Sequence, residues 1–269
     1  MKKKESEQKP SIKEIDEVES IPVEERNIVF KPNEGPQTEF LAAGEREVLY
    51  GGSAGGGKSY AMLADPLRYM GHPSFSGLLL RHTTEELREL IFKSKELYPQ
   101  IWKGIKWSER KMQWEAPSGA RLWMSYLDRD DDVLRYQGLA FSWIGFDELT
   151  QWATPYAWNY MRSRLRSTAP DLPVYMRATT NPGGPGHQWV KKMFIDPAPY
   201  GKTFDATNIE TGKPLKYPDG HERAGEALFQ RRFIPAKLFD NPYLSAQGDY
   251  EAMLLSLPEH QRKQLLEGD

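Results

Sequence analysis

One short glycine-rich run constrains this chain more than any other feature. Gly52-Ser53-Ala54-Gly55-Gly56-Gly57-Lys58-Ser59 fits the pattern G-x-x-x-x-G-K-[ST]. A short apolar stretch, Glu47 to Tyr50, precedes it and reads as a strand. The stretch from Lys58 to about Met70 follows it and reads as a helix, with Leu63, Leu67 and Met70 on one face. Pro66 should kink that helix and Gly71 should end it. Glycines let the backbone curl until its N–H groups converge on phosphate oxygens, and a helix start adds the positive end of its dipole. Lys58 is then placed to reach the β- and γ-phosphates of ATP, and the Ser59 hydroxyl to coordinate Mg2+. The expected ATP-binding residues are therefore Gly52, Ser53, Ala54, Gly55, Gly56, Gly57, Lys58 and Ser59. A glycine-rich turn can fit the pattern by chance; strand, Lys-Ser and helix in register argue against that here.

A second motif completes the first. Phe141-Ser142-Trp143-Ile144-Gly145-Phe146 reads as an apolar strand and runs into Asp147-Glu148. By itself an acidic strand end is more often simply solvated. Paired with the glycine loop it is a Walker B arrangement, with Asp147 holding Mg2+ through water opposite Ser59. Glu148 is the expected catalytic carboxylate, which requires that it be held at hydrogen-bond distance from the attacking water.

Strand and helix signals alternate from Glu47 onward. Gly77 to Leu80 reads as a buried strand, and Thr83-Thr84-Glu85-Glu86 as a capping box opening a helix faced by Leu87, Leu90, Ile91 and Leu97. Lys111–Trp114 and Ala120–Ser125 read as a hairpin closed by Pro117-Ser118-Gly119. Pro155 to Leu165 reads as a helix and Val174 to Thr179 as a strand. This alternation predicts an α/β fold: a mostly parallel sheet with helices on both faces, of the P-loop NTPase (RecA/ASCE-like) kind, with the hairpin at one edge. Residues 1–30 read as a loosely attached tail, 31–201 as the core, and 202–269 as a small second subdomain. That last part holds a short strand at Arg232-Phe233-Ile234, a turn at Asp240-Asn241-Pro242 and a helix from Ala246 to Leu266.

Composition excludes several classes. There are no cysteines, so disulfides, cysteine-ligated zinc and thiol catalysis are out. The five histidines show no ligand spacing, and no apolar run approaches the ~20 residues of a membrane span. A soluble, cytoplasmic chain is expected. The net charge of −2 shows no basic excess, so contact with nucleic acid has to be local or shared among subunits.

Further segments narrow the reading. Gly35-Pro36-Gln37-Thr38-Glu39-Phe40, Leu80-Arg81-His82-Thr83, Thr179-Thr180-Asn181-Pro182, Phe233-Ile234-Pro235-Ala236 and the end Leu265-Leu266-Glu267-Gly268-Asp269 resemble the large terminase subunit of tailed bacteriophages. The resemblance runs from about Pro36 to the last residue and covers the ATPase region only. It implies an ATP-driven motor that moves double-stranded DNA into a procapsid in the host cytoplasm. Its implied partners are the portal protein, a small terminase subunit and further copies of the chain in a ring. By the same resemblance Gln37 reads the adenine edge. Thr179, Thr180 and Asn181 form the coupling segment that senses the γ-phosphate, although Asn-Pro-Gly-Gly is also a strong turn former. The family's nuclease domain would follow the last residue, so nuclease activity is not expected of this chain.

The phosphate loop contains no arginine, so another cation must neutralise charge in the transition state. The resemblance implies that ring-forming members present an arginine from the 128–138 region to a neighbouring subunit's ATP, which makes Arg135 the candidate, with Arg129 second. The alternative is an ordinary surface arginine paired with the acidic run Asp128, Asp130, Asp131 and Asp132. Arg162, Arg164 and Arg166 read as helix-surface charge, with Arg162 and Arg166 on one face. The competing functions are another P-loop enzyme, a kinase or helicase-like remodeller, and a module in which ATP only drives assembly. Glu148 speaks against a kinase, and the single ATPase core against a helicase.

Overall fold

Short apolar runs become buried parallel strands here because helices cover both faces of the sheet. The computed structural model describes residues 28–53, 55–237, 240–242 and 249–262. The described strands are β1 (Glu47–Gly52), β2 (Ser76–Arg81), β3 (Lys106–Ser108), β4 (Gln113–Glu115), β5 (Arg121–Tyr126), β6 (Trp143–Phe146), β7 (Tyr175–Thr180), β8 (Thr203–Asp205) and β9 (Gln230–Ala236). They form one sheet in the order β3-β4-β5-β2-β6-β7-β1-β9-β8. The run β5-β2-β6-β7-β1-β9 is parallel throughout. β3, β4 and β8 pair antiparallel at the two edges. Every residue of β1, β6 and β7 is buried.

The described α-helices are α1 (Pro36–Ala42), α2 (Lys58–Ala64), α3 (Thr84–Ile101), α4 (Tyr156–Arg162), α5 (His187–Val190), α6 (Asp249–Leu255) and α7 (Glu259–Arg262). α3 opens on the expected capping box: Thr83 Oγ1 accepts from Glu86 N–H, and Glu86 Oε2 accepts from Thr83 N–H, both at 3.3 Å. Its face of Leu87, Leu90, Ile91 and Leu97 is buried.

The register places three strand ends on one edge. Gly51 pairs with Thr180 across β1 and β7, and Gly52 with Ala236 across β1 and β9. Phe146 pairs with Ala178, so Asp147 arrives beside Thr179. β7 lies between the phosphate-loop strand and the Walker B strand, leaving a gap one strand wide over its end.

The structure departs from the sequence reading at several points. The helix after the loop does not run to Met70: α2 ends at Ala64 and a 3-10 turn, Asp65–Tyr69, continues it. Pro66 has no N–H to donate and its ring crowds the carbonyl of Met62, so the α-helix stops before it. An edge strand, β3, has no counterpart among the expected elements; it extends the hairpin to three strands. The boundary at residue 202 is not a structural one. β8 and β9 belong to the main sheet, and the described residues from Pro32 onward cluster as one unit. Phe233 and Ile234 are buried beside β1, and Arg231 Nε meets Glu47 Oε2 at 2.7 Å. That pairing spans most of the chain, which a local pattern cannot show. The expected helix from Ala246 to Leu266 is interrupted at Ser256–Pro258, and its ends lie outside the described residues.

The arginine cluster is also different. α4 ends at Arg162 because the chain turns to bridge Phe141, with Phe141 N–H donating to Arg164 O at 3.0 Å. Arg162 therefore shares no helix face with Arg166. It pairs instead with buried Glu47, while Arg166 donates to Gly138 O and Leu139 O. Burial alone would raise the Glu47 pKa; Arg162 and Arg231 outweigh it and hold the carboxyl below its ordinary value. This Arg–Glu–Arg cluster clamps the start of β1 to α4 and β9.

Candidate active site

The glycine loop keeps its shape through contacts that side chains at its glycines would forbid. Gly52, Gly55 and Gly57 all have positive φ, at 128°, 81° and 76°. A Cβ on Gly52 would collide with the Ala236 carbonyl, and that carbonyl accepts from Ser53 N–H at 2.9 Å. Three of the loop's own carbonyls are held by side-chain donors. Tyr50 Oη donates to Gly56 O at 2.7 Å, Asn241 Nδ2 to Gly55 O at 2.6 Å, and Gln37 Nε2 to Gly57 O at 2.9 Å. Ala54 lies outside the described residues.

Lys58, the first residue of α2, is 6% exposed. Its Nζ donates to Gly52 O at 3.2 Å and Ser53 O at 2.6 Å. Burial lowers its pKa to about 8, against the opposing pull of Glu148 and Asp147. The two carboxylates therefore lie within electrostatic reach of the loop lysine. A cavity of about 390 Å3 is lined by Gly55 to Ser59 on one side and by Glu148 and Asn181 on the other. Lys93 also lines it, held by Glu89 at 2.5 Å.

Asp147 is 1% exposed. Its Oδ1 accepts from Thr179 Oγ1–H, and the same hydroxyl oxygen accepts from Glu148 N–H at 3.1 Å. Arg81, at the end of β2, places Nε 3.0 Å from Asp147 Oδ2. Neither atom has a hydrogen-bond partner of good geometry, so this contact is electrostatic. Arg81 is a site residue to which the sequence reading gives no role. Its position at a β2 end, next to the β6 end, is the available signal.

Glu148 has φ 61°, in the left-handed region that side-chain-bearing residues avoid. Such strain costs about 1–3 kcal/mol and persists only where the surroundings over-determine it. Here they do. Asn181 N–H donates to Glu148 Oε2 at 2.9 Å and Asn181 Nδ2 to Oε1 at 2.8 Å. Burial and then Asp147 raise the Glu148 pKa, more than Lys58 and the Asn181 bond lower it. Asn181 Oδ1 is buried and has no hydrogen-bond partner among the described residues. Thr180 Oγ1 donates to Thr150 Oγ1 at 2.8 Å, and Gly186 N–H to Thr150 O at 2.8 Å. The segment after β7 is thus fastened to the turn that carries Glu148.

The structure brings Lys58, Ser59, Glu148 and Asn181 to one cavity, with Asp147 and Thr179 directly behind. Gln37 is 4% exposed and joins this group through Gly57, while its Oε1 accepts from Asn33 N–H at 2.6 Å. Arg135 is not among the cavity-lining residues. Its Nη2 donates to Tyr126 O at 2.8 Å and sits 3.3 Å from Asp132 Oδ1 in its own chain.

A sequence model of the phage terminase large subunit family matches residues 45–215, more than half of the chain. The chain belongs to that family. The matched span contains the glycine loop, the Asp147-Glu148 pair and the segment Thr179-Thr180-Asn181. Solved terminases share its RecA-like P-loop fold. The large terminase of a thermophilic bacteriophage, in complex with ADP, superposes with a TM-score of 0.59 at 15% identity, covering 89% of this chain and 53% of that one. The large terminase ATPase domain of Thermus phage P74-26 gives 0.54 at 12% identity, covering 89% of this chain and 94% of that one. The chain thus spans about half the length of the ADP-bound terminase and nearly all of the Thermus phage ATPase domain. No curated protein matches the chain in sequence.

Proposed function

We propose that this terminase chain hydrolyses ATP and uses the cycle to drive double-stranded viral DNA into a procapsid. One observation carries the hydrolytic part. A strained glutamate faces the phosphate loop across the cavity, and the backbone and side chain of Asn181 both hold its carboxylate. A carboxylate that only packs does not need such a device. Family membership supports the packaging part.

The chain's own groups suggest the steps. The amides of Gly55 to Gly57 and the Lys58 ammonium bind the β- and γ-phosphates, Lys58 exchanging its present carbonyl partners for phosphate oxygens. Ser59 lines the cavity and Asp147 Oδ2 has no well-aligned hydrogen-bond partner, so the two fit a magnesium ion, Asp147 acting through water. That ion would neutralise phosphate charge and orient the terminal group. Glu148 accepts one hydrogen of the attacking water and Asn181 Oδ1 the other, which leaves a lone pair for the terminal phosphorus. The new P–O bond forms as the β–γ bridging bond breaks, and the water's proton passes to Glu148. Departure of the phosphate releases Asn181, and the shift passes through Thr180, Thr150 and Gly186 to α5. Gln37 retains one N–H and one lone pair for the adenine edge. Arg135 supplies a cation to a neighbouring copy in a ring, after giving up its contacts to Tyr126 and Asp132. The portal protein and a small terminase subunit complete the machine. No helix of the described residues is long and apolar enough to cross a membrane.

Phosphate release, followed with and without duplex DNA, tests the reading. The expected result is Mg2+-dependent turnover that DNA stimulates and Lys58→Ala abolishes. Nucleotide binding without any turnover, in the presence of DNA and portal-bearing procapsids, would leave only an assembly switch.

A further inference from the structure

The nucleotide cleft lies at the C-terminal edge of the sheet. A second cleft, of about 430 Å3, opens at the opposite edge, between the loop before β1 and the start of β7. Its wall carries Arg46, Arg68 and Arg177, together with Tyr69 and Tyr175, and no Asp or Glu. Two of the arginines are fixed in place. Arg177, 2% exposed, donates Nη1 to Glu45 O and Met176 O at 3.0 Å and Nη2 to Ala43 O at 2.6 Å. Arg68 pairs with buried Asp65 at 3.0 Å, and Asp65 Oδ2 is also 3.9 Å from Arg177 Nε. Asp65 is shared between these two cations and lies within electrostatic reach of Tyr175, and Glu45 is a second carboxylate within reach of Arg177, so the three arginines of the cleft outnumber the carboxylates near them. Holding the loop in place explains Arg68 and Arg177, and it explains nothing else in the cleft.

Two features are left over. Arg46 is exposed, and its side chain forms no hydrogen bond or ion pair among the described residues. Tyr175 is 6% exposed, yet its hydroxyl has no hydrogen-bond partner among the described residues. A buried hydroxyl without a partner weakens the fold unless something outside the chain completes it. A donor hydroxyl, surplus positive charge and an open cavity call for the same complement, a compact anion rich in acceptors.

We propose that this cleft binds a phosphate group, with the Tyr175 hydroxyl donating to one oxygen and Arg46 and Arg68 placing guanidinium N–H groups on the others. The phosphate belongs either to a free phosphate compound or to the backbone of a DNA strand. The chemistry is the same, and the two sources separate experimentally. The site is distinct from the ATP cleft. It is built on the loop that leads into β1 and on the turn that ends α2, so it touches the far ends of the two elements flanking the phosphate loop.

Pyrophosphate is titrated into the protein by calorimetry, and a fluorescent duplex DNA is titrated by anisotropy at several salt concentrations. Each is repeated with Lys58→Ala, Arg46→Glu and Tyr175→Phe. Pyrophosphate binding that survives Lys58→Ala and drops about tenfold in Tyr175→Phe, the loss of one hydrogen bond to a charged acceptor, supports a site for free phosphate compounds. Duplex affinity that falls in Arg46→Glu, with a log–log salt slope smaller by about one, supports a DNA-backbone site. Tyr175→Phe must also melt no lower than the parent chain, because its hydroxyl has no internal partner to lose. Pyrophosphate and duplex affinities both unchanged in Arg46→Glu and Tyr175→Phe would overturn the proposal, as would a lower melting temperature of Tyr175→Phe with unaltered binding.

Discussion

Asn181→Ala removes the Nδ2 bond to Glu148 Oε1, 2.8 Å long, and leaves the backbone bond to Oε2. A hydrogen bond to a charged group contributes about 1.5–3 kcal/mol, and each ~1.4 kcal/mol of barrier is a factor of ten in rate. The expected loss in kcat is therefore roughly 10- to 100-fold. The lost acceptor Oδ1, which would hold the attacking water, pushes the value to the upper end. Binding of ADP should change little, because Lys58, Ser59 and the loop amides are untouched. Asn181→Asp asks the same question through charge. It sets another carboxylate against Glu148, whose pKa burial and Asp147 already raise. The acid limb of kcat should then move to higher pH, since a base with a raised pKa is protonated, and idle, over a wider acid range. Steady-state phosphate release against ATP concentration and pH gives kcat and KM separately, and a fluorescent ADP analogue gives affinity. A kcat within twofold of the parent in both variants would refute the positioning role of Asn181. So would a loss confined to KM.

Other expectations follow from the same geometry. Lys58 has a folded-state pKa near 8, so it loses its proton as pH rises past that value, and phosphate binding draws the proton back. KM for ATP should climb above pH 8 with proton uptake on binding, read by calorimetry in buffers of different ionisation enthalpy; a KM flat to about pH 9.5 would contradict this. Thr179→Val takes a donor from Asp147 and an acceptor from Glu148 N–H. It should cost about 2–3 kcal/mol in denaturant unfolding and most of the turnover, and Thr179→Ser should restore both. Gly52→Ala places a methyl against the Ala236 carbonyl at φ 128°. The loss should reach about 3 kcal/mol or more, and a melting point within a degree or two of the parent would show the loop to be more pliant. Arg135→Ala, exposed and bound only locally, should leave the melting temperature nearly unchanged. Mixed with Lys58→Ala it should recover part of the DNA-stimulated turnover if it acts across subunits.

What was legible in the sequence was local. The glycine loop, the acidic strand end and the capping box at Thr83 are short patterns whose residues meet neighbours within a few positions. Thr180 and Asn181 were legible only through the family resemblance, and the structure gives them partners: Thr150 for one and Glu148 for the other. Illegible were the pairings between distant segments. Arg81 meets Asp147, Arg162 and Arg231 meet Glu47, and Arg177 meets the loop at 43–45. All but Arg162, which ends α4, are charged residues in a strand or at its end, which a pattern of apolar periodicity passes over or assigns to the surface. The placement of β9 failed for the same reason. Its apolar run is four residues long, Phe233 to Ala236, and the Glu47–Arg231 pair and the pairings with β1 and β8 put it inside the sheet.

Glu148→Gln puts the account to its sharpest test, because it keeps the side chain's size while removing its charge and one of the two oxygens that accept from Asn181. A rapid-mix measurement of ATP binding and of phosphate release in that variant should give near-parental affinity for Mg·ATP with turnover lower by about 10³-fold or more. Turnover within tenfold of the parent would mean that a different group steers the water, and that the strained glutamate and its asparagine serve only the fold.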